Sequence, residues 1–205
     1  MAYNNNYGNS SQRTTPVVLN LIIINALVFL SQLFLDKSLN ITGLFALYPY
    51  NWDLFRPYQL VTTMFTHGGW MHIIFNMYAL WMFGTSLERV WGPKRFLIFY
   101  LVCGLAASVA QLFLSDMPAV GASGAIMGLI AAFGYLFPNT EFYILPLPFP
   151  IKAKYMVAIY AGIDLFGGIH GGKADNIAHY AHLGGLVMGF ILVIMWNKTN
   201  KKTFY

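Results

Sequence analysis

The sequence predicts an all-α polytopic membrane protein, a bundle of six transmembrane helices. Three observations predict it. Of the 205 residues, 58% are hydrophobic and only 9% are charged, whereas a soluble domain carries roughly a quarter charged residues. The apolar residues gather in six runs, each near the ~20 residues that a helix needs to cross a hydrocarbon core. The 12 Lys and Arg residues stand in small groups between those runs, as they do in the loops of membrane proteins.

Residues 1–16, MAYNNNYGNSSQRTTP, are polar and rich in Asn and Ser. They are expected to form a disordered tail. No signal peptide is expected, because the apolar run that follows is too long and lacks a small-residue cleavage site. The six runs cover about 17–35, 69–88, 95–115, 121–138, 151–168 and 178–196. Lipid offers no partner to backbone N–H and C=O groups, so each run should be a helix. The fourth and fifth are shorter or rich in Gly. Between the first two lies a long loop, 36–68, whose NWDLFRPY aromatics suit a membrane interface. TEFYILPLPFP, ahead of the fifth run, holds three prolines and should be a non-helical turn. The membrane domain is thus 17–196, followed by a basic tail, 197–205.

Charge sets the orientation. Arg13, Arg89, Lys94, Arg95, Lys152, Lys154, Lys198, Lys201 and Lys202 fall on one side, and Lys37, Arg56 and Lys173 on the other. The positive-inside rule then places both termini in the cytoplasm. Helices two, four and six begin at the outer face. The net charge of +5 does not point to nucleic acid, because no basic cluster is interleaved with exposed aromatics. Cys103 is the only cysteine and cannot form an internal disulfide.

Polar groups at membrane depth are costly and tend to mark function. His72 and Asn76 stand at i and i+4 early in the second run, on one helix face. Ser123, in GASG, opens the fourth run, and His182, in AHYAHLGG, lies early in the sixth. By the charge count all four occupy the outer half of the bilayer. Singly, each has an ordinary explanation. A membrane serine usually bonds back to a carbonyl, a histidine packs between helices, and an asparagine bridges them. Four at one depth suggest chemistry. Serine becomes a nucleophile when an adjacent base takes its proton, and a buried neutral His182 is such a base. An oxyanion would need donors. His72, Asn76 and the backbone N–H of Ser123, at the positive end of a helix, supply them. Gly121 and Gly124 clear space around the hydroxyl. Gly124 and Gly128 form a small-xxx-small pair, which lets membrane helices approach closely, and His182, Gly185 and Gly189 share one face of the sixth helix at i, i+3 and i+7. Such an approach is what a Ser123–His182 hydrogen bond requires.

These residues resemble a known family. GASG, HIIFN and AHLGGLVMG, in that order and on those helices, are similar to the motifs of the rhomboid intramembrane serine proteases, over about residues 17–196. The resemblance implies a Ser–His dyad that cleaves peptide bonds of transmembrane substrates near the membrane surface. Ser123 would be the nucleophile and His182 the general base. His72 and Asn76 would serve the oxyanion. It also implies structural support from His67 in FTHGGWMH, from Arg56 in FRPY (with Phe in place of the family's Trp) and from Glu88 in SLERVWG. The family often carries a Tyr four residues after the nucleophile, stacked on the base, where this chain has Met127.

Other residues weigh less at this level. Asp164 could complete a triad by orienting His182, but an acidic residue near a helix end is commonly solvated or capping. His179, three residues before His182, lies on a neighbouring face. Three histidines could suggest a metal, yet no HExxH is present and no acidic ligand is expected nearby, so no metal or cofactor is expected. GASGA is not the G-x-S-x-G elbow, which also needs strands. The expected partners are single-pass transmembrane substrates and the lipid bilayer, with the oligomeric state open. A catalytically inactive rhomboid-like protein that binds transmembrane clients is the alternative. A small transporter is less favoured, because the helices lack paired charges. With no large extra domain, the chain fits a bacterial inner membrane.

Overall fold

A computed structural model describes residues 15–143, 149–170 and 177–199. The expected N-terminal tail falls outside these residues, apart from Thr15 and Pro16, as does most of the basic C-terminal tail.

Helix α1, Pro16–Leu39, begins one residue earlier than the apolar run. Pro16 takes the first helical position, where its missing N–H costs nothing and its fixed φ suits the helix. The helix ends at Asn40, which adopts φ 48°, and the Asn40 N–H donates to the Asp36 carbonyl. The long loop is not structureless. It holds α2 (Ile41–Phe45), α3 (Gln59–Thr62) and a 3₁₀ turn, Thr63–Phe65. Gln59 is buried and ties this loop together, accepting from the Arg56 N–H and donating to the Leu54 carbonyl at 3.1 Å.

The second apolar run is helical but broken. Helix α4 (Trp70–Ala79) passes through a π-helical segment, Leu80–Gly84, into α5 (Thr85–Trp91). A Cβ on Gly84 would meet Val18 at 3.0 Å and Phe96 at 3.2 Å, so the bare glycine lets α1 and α6 come close there. Helix α6 spans Pro93–Leu114, α7 Ser123–Leu136, α8 Ala153–His170 and α9 His179–Thr199. The proline-rich stretch before α8 is non-helical where it is described, and it forms a feature that the prolines did not disclose. Strands β1 (Glu141–Tyr143) and β2 (Pro150–Lys152) pair antiparallel, with Glu141 opposite Lys152.

Each of the six apolar runs is therefore helical over most of its length. Among the described residues, α1, α6 and α9 are long and apolar enough to cross a membrane. Helix α7 has only 14 residues, of which Gly124–Ile126 and Gly128–Gly134 are buried, so it forms the centre of the bundle. Leu19, Leu27, Phe34, Phe75, Trp81, Phe113 and Phe166 are exposed on the outside. An apolar exterior around a packed core is the arrangement that lipid stabilises.

Glu88 ties the first two runs together. Its carboxylate accepts from the backbone N–H groups of Val17 and Val18 at 3.0 and 2.9 Å. These are orphan donors of the first turn of α1, and a negative charge there also meets the positive end of the helix dipole. Glu88 is 2% exposed. Replacing it with alanine leaves two amides unpaired, so Glu88→Ala should lose about 2–4 kcal/mol of stability. Thermal unfolding in detergent, with Glu88→Gln beside it as the milder change, checks this.

Candidate active site

Three helices bring the four polar residues together, and loop contacts set their geometry. Leu47 and Ala119 exchange backbone hydrogen bonds at 2.9 Å. The Thr63 hydroxyl donates to the Ala119 carbonyl at 2.8 Å, and the Gly121 N–H donates to the Thr63 carbonyl at 2.9 Å. The chain entering α7 is thereby fastened to the first loop, which fixes where Ser123 starts the helix. Gly121 sits at φ +127°, a conformation open to glycine and strained for other residues. A Cβ there would also lie 2.8 Å from His72 Nε2 and 3.6 Å from Ser123 Oγ. The bare backbone of Gly121 thus separates these two side chains.

The central contact is between α7 and α9. His182 Nε2 and Ser123 Oγ are 2.8 Å apart. Close backbone approach makes this possible. A Cβ on Gly185 would run into the carbonyl oxygen of Gly124, and one on Gly189 would lie 2.6 Å from Gly128 Cα. On α6, Ala106, Ala107 and Ala110 take up the facing Gly184 in the same way. In the sequence Gly184 shows no sign of this role beyond its place next to Gly185.

His72 and Asn76 share the face that the i, i+4 spacing predicts. The Gly68 N–H donates to His72 Nδ1 at 3.2 Å. In the neutral ring this leaves the proton on Nε2, the nitrogen that faces Gly121. Asn76 is buried, and its Nδ2 donates to the His72 carbonyl at 2.8 Å. One amide hydrogen is thus spent inside α4. An asparagine amide carries a second. Ser123 is the first residue of α7, so its own N–H has no partner within the helix.

His67 is held by its backbone. The Gln32 amide receives the His67 N–H and donates to the His67 carbonyl, both at 3.0 Å. Its ring packs edge-on to His72, with centroids 5.1 Å apart. Burial, and then the neighbouring His72, lower its pKa to about 4, so the ring is neutral near pH 7. Arg56 donates to the carbonyls of Asp53 and Phe55 within its own loop and reaches no site residue among the described ones.

Asp164 corrects the sequence reading. It is not a helix-end carboxylate, because α8 runs on to His170. It is 3% exposed, and its Oδ1 lies 2.9 Å from His182 Nδ1 and 2.8 Å from His179 Nδ1. His179 therefore faces the same oxygen as His182. Among the described residues, no group of three His, Cys, Asp or Glu side chains is arranged so that it could hold a metal ion.

These groups border one cavity of about 770 Å³, lined by His72, Asn76, Gln111, Ser123, His179 and His182 among others. A hydroxyl bonded to an imidazole, with N–H donors nearby in a pocket large enough for a peptide segment, is a constellation able to perform acyl transfer.

A family model described as the rhomboid domain matches residues 54–198. Rhomboid protease GluP of Bacillus subtilis (strain 168) is 35% identical over 134 residues, which cover 65% of this chain and 25% of that protein. Rhomboid-like protein 11, chloroplastic, of Arabidopsis thaliana is 31% identical over 185 residues, covering 87% of this chain and 64% of the relative. The presenilin-associated rhomboid-like protein, mitochondrial, of Rattus norvegicus is 33% identical over 193 residues, or 90% of this chain and 50% of that one. This chain thus spans between a quarter and under two thirds of the length of these relatives.

Proposed function

Because the chain belongs to the rhomboid family, we propose that it is an intramembrane serine endopeptidase acting on single-pass transmembrane proteins. The observation that carries this reading is the 2.8 Å contact between Ser123 Oγ and His182 Nε2. The Ser123 oxygen attacks the scissile carbonyl carbon, and its proton passes to His182 Nε2. The carbonyl π pair moves to oxygen, where the Ser123 N–H, His72 Nε2–H and the second Asn76 amide hydrogen stabilise it. Collapse expels the leaving amine, which takes the proton from His182. Water then attacks the acyl-serine by the same route and frees the enzyme.

Helix α7 has 14 residues and is therefore about 21 Å long, less than the ~30 Å of hydrocarbon. Its first residue lies below the membrane surface, and the cavity beside it brings water there. The chain is a multi-pass membrane protein. In the orientation we favour, six helices cross a bacterial inner membrane, both termini are cytoplasmic and the cavity opens outward.

The test is cleavage in proteoliposomes. Purified protein is mixed with a single-pass substrate, and separately with the same ectodomain lacking its membrane segment. Cleavage of the first alone, absent with Ser123→Ala, is the expected result. An inert wild type over several single-pass substrates would favour a client-binding rhomboid-like protein without activity.

A further inference from the structure

We infer that Asp164 is a positioning residue for the base, so that the site works as a serine–histidine–aspartate triad whose carboxylate is itself held by His179. This inference rests on the protease reading of Ser123 and His182.

An ionised carboxylate only accepts hydrogen bonds. Asp164 Oδ1 stands 2.9 Å from His182 Nδ1, so an ionised Asp164 requires the ring's proton on that nitrogen. The lone pair is then on Nε2, which faces Ser123 Oγ at 2.8 Å. This is the tautomer a general base needs, and nothing else need rotate to supply it. When the serine proton moves to Nε2, the ring becomes an imidazolium. Its positive charge then lies beside a carboxylate in a site of low dielectric, where the attraction is far stronger than in water. The proton on Nδ1 stays where it is.

The fold is shaped around this pairing. His179 and His182 stand one turn apart on α9, and Asp164 and Gly167 one turn apart on the facing side of α8. A Cβ on Gly167 would collide with the His179 ring. The glycine thus gives His179 room to reach Asp164 Oδ1 at 2.8 Å. His179 is 6% and Asp164 3% exposed. A carboxylate at this depth is expensive unless it is paired, and here two ring N–H groups pair one oxygen. A solvated or capping carboxylate would need neither the glycine nor the second histidine.

Two measurements test the inference. In the first, Asp164→Asn keeps the volume and removes the charge. Its turnover in the proteoliposome assay should fall by about 100-fold or more, with KM within about two-fold of wild type and the unfolding temperature retained. In the second, ¹⁵N spectra of wild-type protein labelled at histidine report the tautomer directly, with the His182 signals identified by their loss in His182→Gln. A neutral ring protonated at Nδ1 is expected. Wild-type turnover in a folded Asp164→Asn variant, or a wild-type His182 protonated at Nε2, overturns the inference. Should Asp164→Asn fail to fold, or wild type cleave nothing, the tautomer decides. Ser123→Ala separates the two readings. If it cleaves as wild type does, the protease assignment has failed. If it is dead while Asp164→Asn runs at full rate, the dyad stands and the carboxylate's role alone falls.

Discussion

Ser123→Ala, His182→Ala and the double variant are expected to be equally slow, each about 10⁴-fold or more below wild type in kcat. The reason lies in the contact itself. Ser123 Oγ and His182 Nε2 are 2.8 Å apart, close enough for the two to be expected to act as one unit. Without the imidazole the hydroxyl keeps its proton and is a poor nucleophile. Without the hydroxyl the imidazole has no proton to take. Removing the second member after the first therefore costs almost nothing more. Single-turnover cleavage of the model substrate measures all three variants. Independent losses that multiply in the double variant would mean that the two residues serve separate roles.

The second large effect comes from a residue without a side chain. Gly185→Ala should abolish turnover although Ser123 and His182 are both present. The new Cβ would run into the Gly124 carbonyl oxygen, which belongs to the backbone of α7 and has no rotamer to escape by. Helices α7 and α9 must then part. Overpacking of this kind costs about 1–3 kcal/mol, at times more. A displacement of about 1 Å at the reacting atoms can itself cost 100-fold in rate. Gly162→Ala is the control, because a Cβ there meets nothing within 4 Å. It should keep wild-type turnover. Comparing kcat and unfolding temperature for the two variants checks the claim. A Gly185→Ala enzyme of normal rate would show that the helix approach is not what assembles the site.

The sequence displayed those features that the bilayer itself demands. Six apolar runs are legible because lipid tolerates few alternatives, and all six are helical over most of their length. Ser123, His182, His72 and Asn76 stand out because polar groups are scarce in such runs. The Gly124–Gly128 and Gly185–Gly189 pairs are legible for a similar reason, since small residues at that spacing have few other uses. What composition hides is pairing between elements. Asp164 looks like a helix-end acid until α8 is seen to continue past it and α9 to bring two histidines onto its oxygen. Glu88 carries no local sign that its carboxylate caps the distant α1. Thr63 and Gln32 are ordinary loop and helix residues by type, and their roles come from the Gly121 and His67 backbones they hold. The break at Leu80–Gly84 reads as plain apolar helix, because a π-helical segment has no periodicity of its own at that length. The short β1–β2 pair was masked by prolines that suggested only a turn.

Ser123 is read as an activated nucleophile, and a fluorophosphonate probe tests this without knowledge of the natural substrate. The serine oxygen displaces fluoride at phosphorus, and the adduct is located by peptide mass spectrometry. The expected result is one adduct, on Ser123, that is lost in Ser123→Ala and nearly lost in His182→Ala. An unlabelled wild type, or an adduct that persists in Ser123→Ala, would contradict it.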